Sequence, residues 1–205
     1  MNATRGSFGP RPWHQLSWDW RAAANFACGG AGAGLIAACG ASSALGQPAP
    51  WPTLFGALLV AFGLFAVWLE IGRPMRALHV FFNPRTSWMS REAFVAAVLL
   101  PCAVAAAAGI PGFAAIAAVL ALSFVWCQAR ILKAARGIPA WRQPAVVPLI
   151  VVTGLAEGAG LAVVAALAHG HPEGIAFFLA VLLAGLALVR WFAWLAYRRR
   201  LAPQA

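Results

Sequence analysis

The sequence predicts an all-α integral membrane protein, a bundle of about six transmembrane helices. Of its 205 residues, 62% are apolar and only 10% are charged, whereas a soluble domain of this length carries about a quarter charged residues. So few charges cannot cover a water-facing surface, so most of the surface is expected to face lipid. The apolar residues also fall into long uninterrupted runs, and the basic residues cluster between alternate runs.

Six apolar runs have the length that crosses a bilayer, about 20 residues each. We predict spans at 22–45, 52–71, 92–109, 111–132, 145–168 and 174–197, all within a single membrane domain, 1–205. Residues 1–21 are predicted to form an interfacial segment, because tryptophans favour the membrane–water boundary and this segment carries Trp13, Trp18 and Trp20.

Fourteen of the 15 basic residues precede the first span, follow the last, or lie near the second-to-third and fourth-to-fifth connections. Arg190 lies inside the last span, from which its side chain is expected to snorkel to the same side. The 15 basic residues are Arg5, Arg11, Arg21, Arg73, Arg76, Arg85, Arg91, Arg130, Lys133, Arg136, Arg142, Arg190, Arg198, Arg199 and Arg200. The remaining connections contain none. Because basic segments are retained in the cytoplasm, this asymmetry predicts an N-in, C-in topology. It also accounts for the net charge of +10 without a nucleic-acid partner.

The chain has only five acidic residues, and polar groups at membrane depth are costly. Asp19, Glu70 and Glu92 fall at the basic-side ends of the first three spans, and Glu173 falls at the opposite surface. Glu157 lies midway along the fifth span. It is a possible intramembrane polar site, with either a functional role or a structural hydrogen bond to a neighbouring helix.

The densest polar stretch is 70–92, which Gly72, Pro74 and Pro84 interrupt. Ser90 followed by Glu92 predicts a helix start with a carboxylate near the positive end of the helix dipole. With the segment before the first span, this stretch gathers His, carboxylate, Arg and Trp groups at one end of the bundle. Such a set suits a quinone headgroup, which needs hydrogen bonds, a proton donor or acceptor, and aromatic walls. The alternative is a basic interfacial loop with aromatic anchors.

Several motifs in this region resemble a known family. They are Ile71-Gly-Arg-Pro-Met-Arg-Ala77, Asn83-Pro-Arg-Thr-Ser-Trp-Met-Ser-Arg-Glu92, Trp13-His14 before the first span and Ile138-Pro-Ala-Trp141 after the fourth. In this order they are similar to motifs of the membrane anchor subunits of DMSO-reductase-type molybdopterin oxidoreductases (DmsC-like), within the NrfD/polysulfide-reductase superfamily. The resemblance covers residues 13 to 150.

The resemblance implies a non-catalytic anchor in a bacterial inner membrane, with no haem, iron–sulfur cluster or other metal of its own. Such a subunit exchanges electrons between membrane quinone (ubiquinone or menaquinone) and a ferredoxin-like iron–sulfur subunit. That subunit in turn serves a molybdopterin catalytic subunit containing Mo or W. From the residues and the resemblance together, the candidate quinone-site residues are His14, Asp19, Glu70, Arg73, His79, Trp88 and Glu92.

Two departures from the family pattern stand out. The family commonly has His where this chain has Glu70, and its anchors usually have eight spans instead of six. Reductase anchors also commonly face their partner in the periplasm, whereas here the corresponding side carries the basic residues. We therefore expect a cytoplasmic partner, which suits oxidation of an acyl-CoA type substrate with quinone as acceptor.

Three other hypotheses remain. A cytochrome b-type anchor needs paired His ligands inside helices, yet His14, His79, His169 and His171 fall at or outside the span ends. A small transporter or lipid-binding membrane protein would use Glu157 as a midplane site. A purely structural anchor would tether a complex without touching quinone.

Overall fold

A computed structural model describes residues 19–69, 74–135, 138–169 and 173–201. It contains six long helices: α1 (Trp20–Ala44), α2 (Pro50–Trp68), α3 (Trp88–Ala107), α4 (Phe113–Ala134), α5 (Val146–Ala168) and α6 (Glu173–Leu201). Each is long and apolar enough to cross a membrane. The predicted all-α membrane bundle of six helices is thus confirmed, and the orientation of its termini stays a prediction.

Two short 3-10 helices lie in the connections, at Pro74–Phe82 between α2 and α3 and at Pro139–Arg142 between α4 and α5. The first packs against α3, where the ring of Phe81 meets that of Phe94 with centroids 5.1 Å apart. The turn between α3 and α4 uses Gly109 and Gly112 at φ of +79° and +83°, conformations that residues with a Cβ rarely adopt.

The predicted start of α3 at Ser90 is wrong. The helix begins at Trp88, and the Ser87 hydroxyl accepts a hydrogen bond from the Ser90 backbone N–H at 3.3 Å. Ser87 is the better cap because its own backbone is extended, at φ −105° and ψ 123°. Glu92 consequently lies in the second turn, beyond most of the dipole effect, and is buried inside the bundle.

The first helix is the centre of the bundle. α1 packs against α2, α4 and α5, while α3 packs against α2 and α4, and α6 packs against α5. In the most apolar stretch of α1, 61% of the residues are buried, compared with 11% for α6. α6 is therefore the peripheral helix, and its outer surface is available to lipid.

Alternating helix directions bring the starts of α1, α3 and α5 to the same end as the termini of α2, α4 and α6. We call this the basic end, because the described cations outside α6 lie there, as do Arg198, Arg199 and Arg200 at the end of α6. Arg190 lies about three turns before the end of α6. The two parallel helices α1 and α5 are thus anchored side by side at the basic end.

Glycines allow α1 and α5 to touch backbone to backbone. A Cβ on Gly34 would overlap the Gly154 carbonyl, and a Cβ on Gly158 would overlap the Gly34 backbone. One turn nearer the basic end, a Cβ on Gly154 would lie 3.1 Å from the Gly30 carbonyl oxygen. The Gly30–Gly34 pair therefore takes part in a close helix contact, which we call the glycine crossing (Gly30, Gly34, Gly154 and Gly158).

Candidate functional site

Beyond the glycine crossing, a cavity of about 520 Å³ extends between α1 and α5 toward the basic end. We call it the cleft. α4 and the 139–142 helix complete its walls, together with the C-terminal end of α6. Its lining comprises Asp19, Ala22, Ala23, Phe26, Ala27, Gly30, Gln128, Leu132, Trp141, Val146, Leu149, Ile150, Thr153, Gly154, Glu157 and Tyr197.

The mouth of the cleft is framed by the first turn of α1. The Asp19 carboxylate caps α1 by accepting from the Arg21 backbone N–H at 2.8 Å, and it pairs with the Arg21 guanidinium at 2.6 Å. Hydrogen bonds from the Arg21 side chain hold the pKa of the Asp19 carboxyl below its ordinary value, so Asp19 is a carboxylate at neutral pH. Arg21 also donates to the Leu69 carbonyl at 3.2 Å, which ties α1 to the end of α2.

An aromatic pair borders the mouth on the other side. Tyr197 near the end of α6 donates its hydroxyl hydrogen to the Ala140 carbonyl at 3.1 Å. This bond holds α6 to the 139–142 helix, whose Trp141 lines the cleft. The peripheral helix is thus fastened at the point where it completes the cleft.

Deeper in the cleft, α5 presents Thr153 and Glu157, four residues apart and hence on one face of the helix. Glu157 is the twelfth of 23 helical residues, midway along the span as predicted, and its side chain is exposed to the cleft. Arg190 of α6 lies close enough to act electrostatically on the Glu157 carboxyl. The middle of the bundle therefore holds a carboxyl group on the wall of the cleft, with a guanidinium on the neighbouring helix α6.

A second polar group lies directly behind the α4 wall. The side-chain amides of Asn25 and Gln128 both lie beside the carboxyl group of Glu92, which is 5% exposed. Gln128 also donates to the Asn25 backbone carbonyl at 3.0 Å. Within the described part of the chain, the buried Glu92 Oε1 and Asn25 Oδ1 have no partner. Gln128 thus connects a buried carboxyl to the cleft that it lines.

The structure brings together some of the residues predicted for the quinone site. Asp19 lines the cleft, and Glu92 lies one side chain behind it. Glu157, predicted separately as a possible intramembrane polar site, also lines the cleft. His14, Glu70 and Arg73 fall outside the described residues.

The other two predicted residues are not in the cleft lining. His79 is exposed on the 74–82 helix, where its Nδ1 lies 3.2 Å from the Arg76 carbonyl. The ring of Trp88 is engaged by two guanidinium groups, Arg91 at 4.2 Å and Arg130 at 4.4 Å from its centroid. Trp88 thus positions cations at the start of α3 and the end of α4.

Sequence reasoning missed Asn25, Gln128, Thr153 and Tyr197. Asn25 and Gln128 carried a usable signal, since each is an amide within an otherwise apolar run, and polar side chains at membrane depth face the bundle interior. Nothing in the sequence indicated that Tyr197 would contact the 139–142 helix.

No family model, curated protein or solved structure matches this chain. The resemblance to the anchor subunits therefore rests on the sequence motifs alone.

Proposed function

We propose that this chain is a haem-free membrane anchor subunit of an oxidoreductase complex, and that it binds quinone or quinol in the cleft between α1 and α5. The observation that supports this most is the cleft itself. It combines aromatic walls, hydrogen-bonding groups and carboxyl groups at two depths, and it opens at the end where a soluble partner would dock.

The dimensions of the cleft suit a quinone ring. Small-molecule sites usually enclose about 300–1,000 Å³ and combine apolar walls with a few polar groups that fix orientation. The cleft, at about 520 Å³, has Phe26 and Trp141 as aromatic walls. The Thr153 hydroxyl would supply a donor for one quinone oxygen, and Gln128 is a second polar residue of the lining. The exposed Ala23 and Ala27 leave one side of the lining free of bulky groups, where an isoprenoid tail would leave between helices.

Reduction of quinone takes up two protons and two electrons, so the site needs a source of both. Asp19 at the mouth and Glu157 at depth are acids on the cleft wall. Glu92 lies beside Gln128. Through the Gln128 amide it would interact with an oxygen of the quinone ring. The electrons would arrive through the mouth from an iron–sulfur cluster of a partner docked on the basic end.

The partners follow from the resemblance and the charge asymmetry. We infer a ferredoxin-like iron–sulfur subunit and a molybdopterin subunit with Mo or W, on the cytoplasmic face of a bacterial inner membrane. An acyl-CoA type substrate, oxidised with quinone as acceptor, fits that location. The basic end would attract an acidic partner surface, because complementary charge steers association.

The first test is purification of the tagged chain from its native host in a gentle detergent, with identification of the accompanying proteins and analysis for iron, molybdenum and tungsten. The proposal expects a stoichiometric iron–sulfur subunit and a metal–pterin subunit. A chain that purifies alone and metal-free, under conditions that preserve known complexes, contradicts the anchor role.

A pair of matched variants tests the quinone site separately. Ala23→Trp would fill the cleft, while Ala115→Trp places the same bulk on an exposed position of α4 outside it. We expect Ala23→Trp to abolish binding of a short-chain ubiquinone analogue to the purified chain, and Ala115→Trp to leave it intact. Equal binding in both variants excludes the cleft as the quinone site.

A small transporter or lipid-binding protein is the second candidate, favoured by the position of Glu157 and Arg190 halfway along their helices. Transporters place ionisable groups at the midplane, where they meet the substrate. This candidate expects no obligate soluble partner and no quinone binding by the purified chain.

A further inference from the structure

A second cavity, of about 420 Å³, lies between α4 and α5 and shares no lining residue with the cleft. We call it the outer groove. α4 contributes Trp126, Arg130 and Lys133, which are four and three residues apart and so follow one face of the helix. Pro144, just before α5, and the first turns of α5 form the opposite wall, the helix contributing Val147, Pro148, Val151 and Val152.

The outer groove changes from charged to apolar along its length. Lys133 is in the last turn of α4, at the basic end, whereas Trp126 lies two turns deeper, about 10 Å along the helix axis. The α5 wall is apolar throughout, and the two cations are on the α4 wall. A molecule that fills this groove would therefore have an anionic head at the membrane surface and an apolar body in the hydrocarbon region.

The two cations are available to a ligand. Within the described residues, neither Arg130 nor Lys133 forms an ion pair or a hydrogen bond with a protein group. Arg130 is oriented by two indoles, with its guanidinium 4.4 Å from the Trp88 centroid and 5.8 Å from that of Trp126. A cation held in place over aromatic rings keeps its hydrogen-bond donors for another acceptor.

We propose that the outer groove binds an anionic phospholipid. Its phosphate would accept hydrogen bonds from Arg130 and Lys133, and an acyl chain would lie along Trp126, Val151 and Val152. Basic pockets between transmembrane helices on the cytoplasmic side are suited to anionic headgroups. Of the two sources of phosphate, a lipid is favoured over a free ion because the apolar part of the groove continues directly below the cations. The proposal does not depend on the quinone role of the cleft.

Native mass spectrometry of the full chain in detergent, with added phosphatidylglycerol or phosphatidylcholine, tests the site. The double variant Arg130→Gln/Lys133→Gln should lower the affinity for phosphatidylglycerol about 30-fold, the effect of two cations near an anionic headgroup. Binding of phosphatidylcholine should not change. The matched control is Arg198→Gln/Arg199→Gln, which removes two exposed cations at the same end but outside the groove, and it should retain phosphatidylglycerol binding.

A steric variant separates the groove from surface charge in general. Val152→Trp keeps both cations and fills the apolar part, so it should also reduce phosphatidylglycerol binding. Equal losses in the groove and control double variants, or full binding by Val152→Trp, would overturn the proposal. So would displacement of the lipid by millimolar inorganic phosphate, which would point to an anion site without a lipid body.

Discussion

Two regions of the same helix pair, the glycine crossing and the cleft, have opposite properties. At the crossing, the backbones of α1 and α5 touch at Gly34 and Gly158 with no space for a methyl group. Toward the basic end, the same helices enclose a cavity of about 520 Å³. Glu157 and Gly158 are consecutive residues, yet one faces the cavity and the other the crossing. The difference shows how a contact that admits no side chain can hold an adjacent cavity open.

The physical reason is the lack of a hydrophobic driving force between helices in lipid. Association there depends on close packing and on weak contacts such as Cα–H···O bonds, which small residues permit. The crossing uses these contacts to fix the position of α5 relative to α1. Larger side chains near the basic end, such as Phe26 and Trp141, then border the cleft without closing it.

The largest expected effect on stability comes from a substitution that disrupts the glycine crossing. Gly158→Leu would drive a side chain into the backbone of α1, since even a Cβ there overlaps Gly34. Overpacking a well-packed core costs about 1–3 kcal/mol and occasionally more, and we expect this variant to exceed that range and unfold the bundle. Thermal unfolding of the purified chain in detergent would measure the loss.

Gly160→Ala is the matched control for this variant, two residues further along α5. Its Cβ would meet only Leu183 Cδ1, at 4.0 Å. The helix propensity of Ala should then stabilise the helix by up to about 1 kcal/mol. If both variants lower the melting temperature equally, the crossing is not the close contact described here.

The next largest effect concerns the buried cluster behind the cleft. Gln128→Leu removes the donor to the Asn25 carbonyl and the amide group beside the Glu92 carboxyl. Leaving buried polar groups unsatisfied costs about 1–3 kcal/mol, so urea or thermal unfolding should show a loss of that size. Ser123→Ala, also on α4, removes only a hydroxyl that bonds the Val119 carbonyl of its own helix. It should change stability by less than about 0.5 kcal/mol.

Glu157→Gln should weaken quinone binding without changing the stability of the bundle. Because this side chain faces the cleft and not the crossing, unfolding should shift by less than about 0.5 kcal/mol. If the cleft binds quinone, loss of the carboxyl group should weaken binding about tenfold, the effect of one hydrogen bond to a charged group. Isothermal titration with a short-chain quinone would measure it. A large loss of stability with unchanged binding would assign Glu157 to packing instead.

The smallest effect on stability is expected at Asp19, at the mouth of the cleft. The pKa of Asp19 is lowered in the folded chain by hydrogen bonds from Arg21. The stabilisation of the start of α1 by the Asp19 carboxylate is therefore fully present at pH values above the pKa of this group in the unfolded chain, about 4. It is lost as the pH falls through the lower, folded pKa. Hydrogen exchange at the start of α1 should therefore accelerate at acidic pH in the wild type. Asp19→Asn should show little of this pH dependence, since it has no carboxylate to protonate. An equal pH response in both would assign the change to another group.

The sequence predicted the number of helices well because each span is a long apolar run with turn residues on either side. The start of α3 was harder to predict, since Ser87 and Ser90 both suit an N-cap. The choice between them depends on backbone conformation. The cleft could not be predicted from the sequence, because its position depends on where α1 and α5 cross. Gly30 and Gly34 are visible in the sequence, but their pairing with Gly154 and Gly158 comes from the bundle arrangement.

Photo-crosslinking with an azido-quinone, followed by peptide mapping of the labelled full-length chain, tests the central claim most directly. If quinone binds in the cleft, the label should map to the cleft-facing residues of α1 and α5, between Ala22 and Gly30 and between Val146 and Glu157, and excess unlabelled quinone should compete it away. Competed label confined to the 74–82 helix and Trp88, or no competed label at all, would contradict the claim.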